Sequence, residues 1–172
     1  MKELTRSLEI CLENENWYGA LFIALTLPDI CGKIDAIHNG SRARYSAWFN
    51  EYVQEKYTVN YDPERELKIF LSGNDCYALR CSYLHEGQED ISGQQAQEVI
   101  ENFHFIAPIP NMCIHNNMMG KKLQLQVDLF CKDILEGIDA WLNNISECDT
   151  KAEKLKSLLM IQSPNPNGSF SI

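Results

Sequence analysis

The residues with the clearest chemical content lie in one short run, Arg80-Cys81-Ser82-Tyr83-Leu84-His85. Arginine is permanently charged and presents a planar fork that matches phosphate oxygens. Histidine exchanges a proton near neutral pH. Together they suit phosphodiester cleavage without a metal. The imidazole acts on the 2′-hydroxyl or on the leaving oxygen, and the guanidinium stabilises the charge that develops around phosphorus. Arg80 and His85 are therefore the candidate catalytic residues. A structural reading stands beside this one. Arg80 can be an arginine paired with an acid such as Asp29 or Asp35, and His85 can simply favour the negative end of a helix.

Other constellations carry less. Cys113-x-His115 with His104 offers thiolate and imidazole, which suit zinc, but no second close ligand pair accompanies them, and no metal ligand is assigned. Asp35 and His38 are spaced to share a helical face, which suits a structural hydrogen bond. No glycine-rich dinucleotide motif, phosphate-binding loop or His-Glu-x-x-His helix occurs, so no cofactor is expected. The seven cysteines are odd in number and include no Cys-x-x-Cys pair, which implies reduced thiols and a cytoplasmic location. A formal net charge of −9 repels nucleic acid at long range and counts against a duplex-coating protein. It leaves room for a local site where one or two arginines hold one phosphate.

The elements that must position Arg80 and His85 read as helices. Leu4, Leu8 and Leu12 mark an amphipathic helix over residues 3 to 14. Trp17 to Leu27 is apolar nearly all round, which places it centrally; the run to Pro28 is too short to cross a bilayer, and no membrane partner is expected. Pro28 is expected to kink or restart this helix, with a continuation over 29 to 38 that stops at Asn39-Gly40. Ser41 opens a third helix, whose stripe of Tyr45, Trp48, Phe49 and Tyr52 reads as core. Thr58 to Glu64 reads as a loop. Ser72-Gly73-Asn74-Asp75 has the form of a capping box and opens the motif helix, which should run from Gly73 to Glu86 and end at Gly87. Alternation over 99–108 and 122–127 suggests a long-looped two-stranded hairpin. A long helix follows over Val127 to Ile145, then a short one over 151–160. The expected fold class is mainly α, a helical bundle with a small β-hairpin insertion. It forms a single domain over residues 1–160, with a disordered tail over 161–172 that is rich in Pro, Asn, Gly and Ser.

On an ideal helix, positions 80 and 85 point roughly 140° apart. One helix is not expected to join the pair by itself; the helix end at Gly87 or a second copy of the chain must help. The stretch YALRCSYLHEG resembles the signature helix of the HEPN superfamily, an arginine followed after four to six positions by a histidine. The order of elements is similar too: an apolar helix bearing Asp35, an aromatic-rich helix beginning Arg42-x-Arg44-Tyr45, then the motif helix. The resemblance implies a homodimer whose two motifs meet in a cleft at the interface, with Arg80 and His85 catalytic in a metal-independent endoribonuclease. It also implies RNA or a nucleotide as ligand, and an antitoxin protein as a partner where such enzymes act in toxin or antiviral systems. Cys81 stands where active members usually carry a polar residue, and the His-x-Tyr ending of one toxin branch is absent. The alternative within the same resemblance is a non-catalytic module that binds nucleotides or a protein.

Overall fold

The protein is described from a computed structural model over residues 1–60, 67–98 and 100–161. Among the described residues the apolar periodicities become six α-helices: α1 (Lys2–Glu13), α2 (Trp17–Asp35), α3 (Ser41–Tyr52), α4 (Gly73–Glu86), α5 (Val127–Ile145) and α6 (Asp149–Lys156). Helix α2 is central and packs against the other five. Its buried residues, among them Ala20, Leu21, Ala24, Leu25, Leu27, Cys31 and Ile34, lie on several faces, as an all-round apolar helix requires. The mainly α class is as the sequence implies. No helix among the described residues is long and apolar enough to cross a membrane.

Three sequence expectations are corrected. Helix α2 runs unbroken through Pro28, which is itself buried, and stops at Asp35, where Ala36 takes a left-handed conformation. An interior proline costs a helix about 3 kcal/mol; burial of α2 against five neighbours offsets that cost. Thr58–Val59 (β1) is not loop but pairs antiparallel with Lys68–Ile69 (β2). The remainder of that expected loop, 61–64, falls outside the described residues, as does the tail from 162 onward. The expected two-stranded hairpin is a three-stranded sheet. Asn102–Ile106 (β3) runs parallel to Lys122–Gln126 (β5), and Asn117–Met119 (β4) supplies the antiparallel partner of β5. The alternation itself was sound: Phe103, Leu123 and Leu125 are buried while His104 is exposed. A loop long enough to contain a third strand let the chain return in the same direction.

Two glycines set how closely α3 is approached. A Cβ on Gly32 of α2 would stand 2.7 Å from the Arg44 carbonyl oxygen, and one on Gly73 of α4 would stand 2.5 Å from that of Ser46. Neither can be accommodated without moving backbone. Gly73→Ala favours an isolated helix by propensity, yet here it should destabilise the fold by about 1–3 kcal/mol through overpacking. Urea denaturation checks this, and a rise in the midpoint would contradict the packing described.

Candidate active site

The motif helix is fixed at both ends. The Ser72 hydroxyl accepts from the Asp75 amide at 3.1 Å, as a helix cap should. Ser72 also donates to the Glu98 carboxylate at 2.6 Å, and fully buried Asp75 accepts from the Glu98 amide at 2.7 Å. At the other end Gly87 takes the left-handed conformation, φ +69°, and its amide closes onto the Tyr83 carbonyl at 3.0 Å. The Ser82 hydroxyl donates to the Asp90 carbonyl at 2.7 Å and ties the outgoing chain to the last turn.

Between these anchors the two candidate side chains meet. Nη1 of Arg80 lies 3.3 Å from Nε2 of His85. Five helical residues separate them by about 7.5 Å along the axis, within reach of an extended arginine side chain. The expectation that one helix cannot join the pair is therefore corrected; it weighed angles between Cβ directions and not side-chain length. A guanidinium has no acceptor, so this contact requires an unprotonated Nε2. His85 is exposed, while Arg80 is half-buried with Cys81 and Tyr77 nearby.

The other fork of Arg80 is occupied. Nη2 lies 2.8 Å from the Asp29 carboxylate on α2. Of the two acids considered from sequence, Asp29 is thus the partner. Asp35 instead accepts from the Trp141 indole at 3.0 Å and from the Lys151 ammonium at 2.6 Å, which fastens α5 and α6 to the end of α2. Burial pushes the Asp29 carboxyl up, opposed by the charges of Arg80 and Arg44. Burial is the largest single influence on the Arg80 charge and works against it, but Asp29, Cys81 and Tyr77 together outweigh it and hold the guanidinium above its ordinary value. Arg80 is therefore a fixed cation with one edge tied down and one edge facing His85.

The remaining sequence candidates do not converge. His38 lies beyond the end of α2 and is exposed, so it shares no helical face with Asp35. His104 meets the Gln124 side chain at 3.3 Å, Cys113 is exposed, and His115 lies 3.4 Å from Asp133. Among the described residues no group of three or more acidic, His or Cys side chains is placed to hold a metal ion.

A second polar cluster was invisible in the sequence, because Lys56 and Tyr57 lie far along the chain from His115 and Asp133. Asp133 of α5 accepts from the buried Tyr57 hydroxyl at 2.8 Å and pairs with Lys56 at 3.2 Å and with His115. Burial works to raise the Asp133 carboxyl, but the hydrogen bonds from His115, Tyr57 and Lys56 prevail and hold it below its ordinary value. A carboxyl depressed on folding contributes stability that is present above its unfolded value and lost as pH falls through its folded value. The thermal midpoint should therefore fall on acidification below about pH 4. Asp133→Asn should be less stable at neutral pH and show a shallower acid limb; an unchanged acid limb would remove Asp133 from this role.

No family model, no curated protein and no solved structure matches this chain. The functional reading accordingly rests on the residues themselves.

Proposed function

We propose that the protein is a metal-independent endoribonuclease of the HEPN kind that acts as a homodimer, with Arg80 and His85 as its catalytic pair. The observation that carries this reading is the 3.3 Å approach of Arg80 to an exposed His85 at the anchored end of α4. In the free protein the guanidinium occupies Nε2. An RNA phosphate would take the Nη1 donor in its place, leaving Nε2 free to accept the proton of the 2′-hydroxyl. The O2′–P bond then forms and the P–O5′ bond breaks, with the leaving oxygen receiving a proton from imidazolium. Arg80 stabilises the charge on the non-bridging oxygens. Asp29 is a positioning residue: it holds one edge of the fork and so orients the other.

Two surface features support this reading. Lys33, Arg44 and Lys154 line a cleft of about 680 Å³ together with Asp29. Three bases against one acid give a local phosphate track on an otherwise acidic chain. Tyr18 and Phe22 are exposed on α2, and Phe22 packs against Tyr83 of α4 with ring centroids 4.9 Å apart. An exposed aromatic face beside the motif suits a symmetric contact between two copies. Light scattering should show a dimer at micromolar concentration, and Phe22→Glu should shift it to monomer. A wild-type monomer would overturn the assembly.

A non-catalytic binding module is the second reading, and the Arg80–Asp29 pair favours it, because a neutralised arginine is also what a structural role requires. The deciding experiment is incubation with single-stranded RNA in excess chelator. The proposal expects cleavage of RNA and none of DNA of the same sequence. Intact RNA, or cleavage that needs added metal, would leave the binding module as the better account.

A further inference from the structure

The second large cleft has a different character. It opens between the start of α2, the end of α4 and β3, with a volume of about 640 Å³, within the range of small-molecule sites. Trp17, Tyr18, Tyr83 and Phe105 line it, with Glu89 and Asp90 on the segment that leaves α4. Among the described residues, no lysine, arginine or histidine lines it. The Asp90 carboxylate accepts from the Ser92 amide at 2.8 Å, and hydrogen bonds from the Ser92 side chain and then its amide hold it below its ordinary value. Arg80 and His85 are not among the lining residues either, so this cleft is separate from the candidate catalytic pair.

We propose that this cleft binds an organic cation, an alkylated ammonium whose nitrogen carries apolar groups. Aromatic rings attract such a cation through their electron-rich faces while the alkyl groups fill apolar volume. The two carboxylates supply the counter-charge, and no base among the described lining residues opposes it. A phosphate or carboxylate ligand would meet Glu89 and Asp90 with no compensating base. A neutral apolar ligand would gain nothing from them. The inference does not rest on the catalytic pair, but Tyr18 and Tyr83 also border the face proposed for the dimer contact, so the cleft is taken to stay open at the edge of that contact; its test needs no RNA.

The probe is choline, compared with its uncharged carbon isostere 3,3-dimethylbutan-1-ol. Trp17 is the reporter, because it is half-buried at this cleft whereas Trp48 and Trp141 are buried in the core. Choline should quench tryptophan emission saturably, and the isostere should bind about tenfold more weakly, as expected for a cation on an aromatic lining. The Glu89→Gln/Asp90→Asn double variant keeps an acceptor for the Ser92 amide, so it should melt as wild type does while losing most of the preference for choline. Tyr83→Leu should weaken choline more than the isostere. Equal affinity for the two probes, a preference that survives in the double variant, or no saturable signal at millimolar choline would each overturn the proposal.

Discussion

Replacing His85 by alanine should lower the rate of RNA cleavage by about 10²–10⁴-fold, the usual contribution of a positioned proton-transfer group, and leave the unfolding midpoint close to wild type. His85 is exposed, and its side-chain contact is with Arg80, so its removal disturbs no packing. Arg80→Lys should be comparably inactive for a different reason. Lysine keeps the positive charge and can still pair with Asp29, but it presents a single ammonium where the arginine fork engages Asp29 and His85 on separate nitrogens. The two variants also separate the two readings of the site. If Arg80 is only structural, neither variant changes a cleavage rate, whatever Arg80→Lys does to stability. If the pair is catalytic, both lose rate and both stay folded. Single-turnover cleavage together with a thermal melt of each variant decides between them, and cleavage that persists in both would remove the pair from the mechanism.

The second large effect concerns stability. Asp75 is fully buried and serves the cap of α4 and the chain after it at once: its amide donates to the Ser72 hydroxyl at 3.1 Å, and its carboxylate accepts from the Glu98 amide at 2.7 Å and the Ile100 amide at 3.5 Å. Asp75→Ala would leave the Glu98 and Ile100 amides without this acceptor. Each unsatisfied group costs about 1–3 kcal/mol, and the loss should total about 3–5 kcal/mol, enough to unfold much of a marginally stable domain. Asp75→Asn retains an oxygen acceptor and should cost less. Because Asp75 anchors the start of the motif helix, Asp75→Ala should also reduce cleavage in proportion to the unfolded fraction. A denaturation midpoint within experimental error of wild type would show that the network contributes little.

The part of this fold legible in the sequence is the part that depends on local spacing. Helix α4 appears where Ser72, Asp75 and Gly87 place it, because a cap and a left-handed stop are short-range devices. Helix α5 follows its apolar stripe from Val127 to Ile145 for the same reason. What was not legible depends on partners distant along the chain. Pro28 reads as a break, yet the helix continues because its surroundings bury it on several sides. Strands β3 and β5 alternate correctly, but nothing in the alternation states whether they run parallel. At the site, the identities of Arg80 and His85 were legible and their contact was not. Neither was the choice of Asp29 over Asp35, which turns on Trp141 and Lys151 claiming Asp35 from more than one hundred residues away. The cluster around Asp133 left no local trace at all.

The central claim is that the RNA's own 2′-hydroxyl is the nucleophile and that the Arg80–His85 pair drives its attack. Mass spectrometry of the product ends, after cleavage of one defined single-stranded RNA in excess chelator, tests it most directly. The account predicts 2′,3′-cyclic phosphate on the upstream fragment and a free 5′-hydroxyl on the downstream one, with both absent for His85→Ala. A 3′-hydroxyl facing a 5′-phosphate would mean that water attacked instead, and would contradict it.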